Sequence, residues 1–340
     1  MHARSLILLA SATAVLVAIA IVVLASGDRG VSHAAPGQSA FPALAAKLGD
    51  VASVTVSRDG TTMTLIRDGD NWLVAEKGNY PANAAKISQI VRAMADLTLV
   101  EPKTQNPDLY PRLEVEDPGN GKSALVAVKD KSGGDLAQAI VGKRRYDRLG
   151  AGNDGVYLRK LGEAQSWLAR GTLDPSGDPP SWLDRQIIDI SEKKIAKVTL
   201  SQADGSKLVI SRSAPEEKFA VEDAPADAKF KSETTTSGPA AALETLDLDD
   251  VKPAGELPVP DKDVVTASFT TFGGLTVDLR LMERDKNNWV AISATGSGSA
   301  EADAKKIEDK VSHWTYAIPP DKANLLKTRL ADLVEPAKGS

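Results

Sequence analysis

Between Val51 and Pro102 the apolar positions first alternate along the chain and then recur at helical spacing. Val51, Val54 and Val56 form a weakly alternating, β-branched run, and Thr62–Ile66 and Trp72–Val74 are two more. Arg58-Asp59-Gly60 and Asp68-Gly69-Asp70-Asn71 separate them. Asp-Gly supplies the positive φ of a tight hairpin, so the pattern predicts a three-stranded antiparallel meander. Tyr80-Pro81-Ala82-Asn83 then reads as a helix entrance with Asn83 at the N-cap. Ile87, Ile90, Val91, Met94 and Leu97 follow as one helical stripe. Neither element buries its apolar face alone, so the stripe is expected on the sheet, with Trp72 between them. Ser123–Val128, Leu136–Val141 and Val156–Leu158 predict further strands, joined at Gly133-Gly134 and around Gly150–Gly155.

The pattern returns in weakened form from Ile195. Val51, Val54 and Val56 align with Ile195, Val198 and Leu200, and Leu65-Ile66 fall near Val209-Ile210. Trp72 and Val74 align with Phe219 and Val221. Leu97, Leu99 and Val100-Glu101-Pro102 find echoes in Leu246, Leu248 and Val251-Lys252-Pro253. A repeat fixes the folding unit before any fold is assigned. Ser237-Gly238-Pro239 is a candidate cap for a short helix through Leu246. Val264–Phe272, Leu275–Met282 and Trp289–Ile292 match the later strands, down to a Gly273-Gly274 turn. Ile307, Val311 and Trp314 predict an amphipathic helix, and Pro319-Pro320-Asp321 opens a last one carrying Leu326, Leu330 and Leu333. Gly171–Pro180 (GTLDPSGDPP) breaks the chain between the halves, because its prolines and glycines continue neither a helix nor a central strand. The expected fold class is α+β: two tandem modules of antiparallel β-meander with packed helices, residues 43–171 and 172–336.

Ahead of the modules, Leu6–Ala25 holds no charge over 20 residues. As a helix it reaches about 30 Å, the hydrocarbon thickness of a bilayer. Residues 1–26 are therefore expected to form an N-terminal membrane anchor. The alternative is a cleaved signal peptide, with Val23-Leu24-Ala25 or Ser32-His33-Ala34 as the site. Either way the rest of the chain is exported. Residues 27–42, rich in small side chains, read as a flexible tether. The 340 residues are enough for two cored domains, and with 4% aromatic residues those cores rest on Val, Leu, Ile and Ala. A net charge of −5 speaks against nucleic acid as a partner. With no cysteine there are no disulfides, thiolate metal sites or cysteine nucleophiles.

Several segments taken together resemble a known family. They are the Trp72-Leu73-Val74 strand, the Tyr80-Pro81-Ala82 entrance, Trp182-Leu183-Asp184-Arg185, and Trp314-Thr315-Tyr316-Ala317-Ile318-Pro319 before a closing helix. In this order, from about residue 50 to 335, they resemble the domain of unknown function 4340 family. The resemblance implies an exported or membrane-anchored bacterial protein, with genes beside those of gliding-motility-auxiliary-type ABC transporters. It supplies no catalytic residues. The second half departs from the pattern with Phe219 for Trp72 and no Tyr-Pro entrance.

Candidate chemistry is sparse. Gly121-Lys122-Ser123 resembles the end of a P-loop, but Glu116 stands where the pattern needs glycine and a strand follows. Gly150-Ala151-Gly152-Asn153-Asp154-Gly155 fits GxGxxG, yet opens onto a strand, so a pyrophosphate would meet no helix N-terminus. Lys143-Arg144-Arg145 with Arg148 is a basic cluster: a solvated strand end, or a contact for anionic headgroups or an acidic partner. His2 and His33 fall in the anchor and tether, and His313, beside Trp314 on the expected helix, has no ligand-spaced partner. Asp247, Asp249 and Asp250, like Glu216 and Glu217, lack calcium-loop spacing and read as solvated faces. No catalytic, cofactor-binding or metal-binding residue is assigned. The expected role is a non-catalytic, membrane-anchored, extracytoplasmic accessory or binding subunit of an ABC-type transport or envelope system. It would sit in the inner membrane by a single span, with an ABC permease and other envelope proteins as partners. The alternatives are an envelope scaffold and a hydrolase of cell-envelope polymers, the second because paired carboxylates meet in space rather than in sequence.

The anchor is testable. Edman sequencing of the protein from its native membrane is expected to start ahead of Leu6, and a start at Ser26 or Ala35 establishes cleavage.

Overall fold

The hairpin at Asp59-Gly60 sets the first register. β1 (Val51–Arg58) and β2 (Thr61–Asp68) pair antiparallel with Arg58 opposite Thr61, and both turn residues have positive φ, 50° and 75°. Such a turn follows the twist of its strands. The computed structural model describes residues 35–119, 121–146, 154–175 and 179–335. β3 (Asn71–Val74) and β4 (Tyr80–Pro81) extend the meander. The Ala84–Asp96 helix then crosses to the opposite edge, where β5 (Thr98–Pro102) lies. β6 (Ala124–Asp130), β7 (Asp135–Arg145), β8 (Gly155–Lys160) and β9 (Ser166–Arg170) fill the interval. The resulting nine-stranded sheet runs β4-β3-β2-β1-β6-β7-β8-β9-β5.

The second half contributes β10 (Gln186–Ile188), β11 (Ile195–Ser201), β12 (Lys207–Ser211) and β13 (Ala220–Val221). A Glu233–Ser237 helix runs into a 3-10 segment, Gly238–Leu243, and on to β14 (Leu246–Asp247) and β15 (Asp250–Pro253). β16 (Val265–Thr271), β17 (Leu275–Arg284) and β18 (Asn287–Gly296) precede the Glu301–Val311 helix and β19 (Trp314–Ile318). β10 pairs with β14, and the main sheet runs β13-β12-β11-β16-β17-β18-β19-β15. Strand for strand, this is the order β3-β2-β1-β6-β7-β8-β9-β5 of the first sheet. The likeness extends to an irregularity. β1 slips register against β6 between Val51 and Ser53, and β11 slips against β16 between Ile195 and Lys197. The architecture is thus mixed α/β, mostly antiparallel sheet with few helices.

Pairing fixes to the residue a correspondence that the sequence gives only approximately. Val54 faces Leu65 and Val198 faces Ile210, so Leu65 corresponds to Ile210 and not to Val209. A one-residue slip would turn each side chain to the other face. Leu65 and Ile210 are buried at 0% and 1%, whereas Ile66 is 41% exposed.

Other expectations shift as well. Trp314 belongs to β19 and not to a helix, and the Glu301–Val311 helix buries Ala304 and Val311 while Ile307 stays half-exposed. The short helix before β14 starts earlier than Ser237, with the Ser232 hydroxyl accepting from Thr235 N–H at 3.1 Å. Residues 37–40, read as tether, are paired: Gly37 N–H donates to Leu99 O and Ala40 N–H to Leu97 O. Phe41 and Leu44 then enter the core. Backbone partners and two apolar anchors outweigh a small-residue composition here. Among the described residues no helix is long and apolar enough to cross a membrane. Leu6–Ala25 lies outside them.

By packing, the chain divides into two units. The first comprises residues up to Leu73 with Ala84–Pro179, and the second Val74–Asn83 with the chain from Pro180 onward. In the first, the helix presents Ile87, Ile90, Val91 and Met94, all buried, as its stripe.

Urea unfolding tests the register. Leu65→Ala should cost about 2–5 kcal/mol, and Ile66→Ala no more than about 0.5 kcal/mol. Equal losses would reject the assigned faces.

Candidate functional site

The second unit carries an open groove of about 720 Å³. Its walls come from the Gln186–Ile190 segment, the Glu192–Lys194 turn, the β16–β17 turn and the Glu301–Val311 helix. Asp303, Lys306, Ile307 and Lys310 lie on one face of that helix at i, i+3, i+4 and i+7, and all four line the groove. Phe272, at the β16–β17 turn, is 39% exposed there, and Lys193 and Lys194 project from the 3-10 turn. The groove therefore combines partly exposed apolar side chains with a lysine-rich rim.

Two smaller depressions lie in the first unit. A crevice of about 630 Å³ holds Trp72 with Ile87, Val91, Arg67 and Arg92. Trp72 is on the helix side of the sheet, as its pattern predicts, but it is only half-buried. A pocket of about 290 Å³ collects Arg58, Lys122, Lys143 and Arg144 beside Tyr146. The Arg144 guanidinium lies 5.0 Å from the Tyr146 ring centre, and Lys143 Nζ 5.9 Å from that of Tyr157. Arg148 and most of the GxGxxG stretch lie outside the described residues.

The remaining look-alikes resolve into structure. Ser123 is buried and donates to Glu116 O at 2.9 Å, and the chain enters β6 directly after it. His313 sits, exposed, in the turn before β19. Asp249 pairs with Arg185 at 3.4 Å and Asp250 with Lys77 at 2.5 Å. Among the described residues no group of His, Cys, Asp or Glu has metal-binding geometry. Serine hydroxyls hold several turn and strand carboxylates below the ordinary range: Ser132 for Asp130, Ser213 for Glu217 and Ser211 for Glu222. Asp204 is taken down to about 2, by Ser206 first and then Arg329. A general acid needs a shift in the opposite direction.

Three of the family-like segments, at Tyr80, Trp182 and Trp314, meet within the second unit. Tyr80 packs edge-on against Trp314 at 4.9 Å and against Tyr316 at 6.1 Å. Its hydroxyl donates to Asp184 O at 3.2 Å. Asn83 N–H donates to Trp182 O, Asp184 N–H donates to Pro81 O, and Ala82 bridges to Leu183. Trp182 is completely buried. Gly78 has φ +66°, and an added Cβ would stand 2.6 Å from Pro253. These side chains are packing anchors. Sequence order alone separates them, and nothing local signals that Tyr80 and Trp314 touch.

Burial pushes both phenols far up, with the Asp184 charge adding to the shift at Tyr80 and Tyr80 itself adding at Tyr316. A phenol raised by folding contributes stability in full below its unfolded value of about 10 and loses it as pH climbs past that value. Ultraviolet titration of the full chain should therefore show a phenolate step coinciding with alkaline unfolding. The Tyr80→Phe/Tyr316→Phe variant should lack that step, and a variant that keeps it rejects the assignment.

No curated protein matches the sequence. A family model does, over residues 72–264, more than half of the chain and including parts of both units. It covers the Trp72 strand, the Tyr80 entrance and the Trp182 segment, and the structure joins the last two through Asn83, Trp182 and Asp184. The chain belongs to the family described as domain of unknown function DUF4340.

Proposed function

We propose that the chain is a membrane-anchored, extracytoplasmic accessory subunit of an ABC-type transport or envelope system, acting by binding rather than catalysis. The observation that carries this is the groove of the second unit: open, partly apolar and rimmed with lysines, it suits a partner surface better than a small substrate. The uncharged Leu6–Ala25 stretch supports the anchor and the extracytoplasmic, inner-membrane location. The transporter link rests on the family resemblance. The common strand order and the shared slips at Val51 and Ile195 support reading the body as two tandem modules of one unit. The same repetition favours one alternative, an envelope scaffold presenting related sheets to several proteins.

Cross-linking in the native membrane, followed by purification of the full chain, tests the reading. A multi-spanning permease and an ATPase should be recovered with it. Recovery from the soluble fraction, with no membrane subunit attached, rejects it.

A further inference from the structure

We propose that the groove of the second unit docks an acidic segment of a partner protein, one that carries apolar side chains between its carboxylates. The proposal deepens the accessory-subunit reading and rests on it.

Charge is the first argument. Lys193, Lys194, Lys306 and Lys310 line the groove against Asp189 and Asp303, in a chain whose net charge is −5. Among the described residues Lys193, Lys194 and Lys306 make no ion pair. Lys310 is engaged, its Nζ donating to Gln186 O at 2.5 Å. Asp189 is engaged too, accepting from Thr245 N–H at 2.9 Å. Asp303 is exposed and makes no ion pair among the described residues, so the unspent charge is three lysines against one carboxylate, net positive, and the lysines come from two separate elements. A carboxylate-bearing segment lying between them would meet cations on both.

Apolar surface is the second argument. Ile307 lies on the helix face that carries Lys306 and Lys310, half-exposed, while the same helix buries Ala304 and Val311. Phe272 is exposed at the turn, with the Arg212 guanidinium 5.9 Å from its ring centre. Leu275 is half-buried beside them. Aromatic and aliphatic side chains ringed by charge are what a hot-spot contact uses. An acyl chain or small apolar ligand needs a cavity that encloses most of its surface. This groove stays open, and a polypeptide can leave its outer face in water.

The test uses the full chain in nanodiscs of zwitterionic lipid. The probe is a fluorescein-labelled synthetic peptide of glutamates interspersed with leucines, read by anisotropy, with a glutamine-for-glutamate version as control. The acidic peptide should bind and the control should bind at least about tenfold more weakly. Lys193→Glu/Lys194→Glu/Lys306→Glu should weaken the acidic peptide by at least about tenfold, and added salt should do the same progressively. Phe272→Ser, with every lysine kept, should also weaken it. If the triple reversal fails to fold by circular dichroism, Lys193→Gln/Lys194→Gln carries the same expectation in direction. Equal binding of both peptides, or wild-type affinity in the variants, overturns the proposal. So does binding of phosphatidylglycerol vesicles without binding of the peptide, which would make the groove a headgroup site. A permease complex that survives the triple reversal also sinks the groove proposal but leaves the accessory role standing. Loss of that complex in the wild-type chain is the separate failure of the accessory reading.

Discussion

β3 and β5 are close in sequence and lie towards opposite edges of one sheet, so the connection between them has to cross a sheet face. Everything else in the first unit depends on that crossing. A helix laid across a face survives only by burying a continuous stripe, and Ile87, Ile90, Val91 and Met94 provide one. With the crossing made, β6 to β9 can enter as a simple meander that fills the interval. The second unit meets the same demand with poorer material. Glu233–Ser237 is threonine-rich and Pro239 follows at once, so the crossing tightens into 3-10 geometry. It still buries Ala240, Ala242 and Leu243, and delivers the chain to β14 and β15. Burial, rather than helical propensity, decides the route.

This constraint explains which parts of the fold were legible. β1, β2, β6, β16 and β17 bury one side preferentially, and their alternation could be read directly. β9 and β19 lie one place in from the edge strand, and their central residues are all buried. A strand covered on both faces loses its period and resembles a piece of buried helix. That is how Trp314 came to look like the third position of the helix carrying Ile307 and Val311. Register was legible only to within a residue, because Ile66 and Leu65 are both apolar and only pairing with Val54 tells them apart. Buried-core positions such as Trp182 were visible as apolar, but their partners were not. Asn83 and Trp182 meet through backbone groups, which carry no side-chain pattern.

The candidate site was less legible than the fold. The basic cluster at Lys143-Arg144-Arg145 stands out in sequence because its members are adjacent. In the fold Lys143 and Arg144 line one pocket with Arg58 and Lys122, at the point where β7 slips register against β8 between Val141 and Arg144. The lysines of the larger groove come from a turn and a helix far apart in the chain, and no local run announces them. A signal was present in the Lys306/Lys310 spacing around Ile307, which places two cations and an apolar side chain on one helical face.

The groove also occurs where the units differ. β8 passes to β9 through a short turn after Lys160, whereas β18 passes to β19 through the Glu301–Val311 helix. That helix supplies Lys306, Ile307 and Lys310, so the groove arises from the element that breaks the shared strand order's simple meander. A common sheet dictates where side chains must be buried, and it leaves connections free to vary at little cost to the core. Recognition in a repeated fold is then expected in the connections, because the paired strands are already committed to one another. By that logic the sheets of the two units explain why the chain folds, and the β18–β19 connection is where its specificity should be sought.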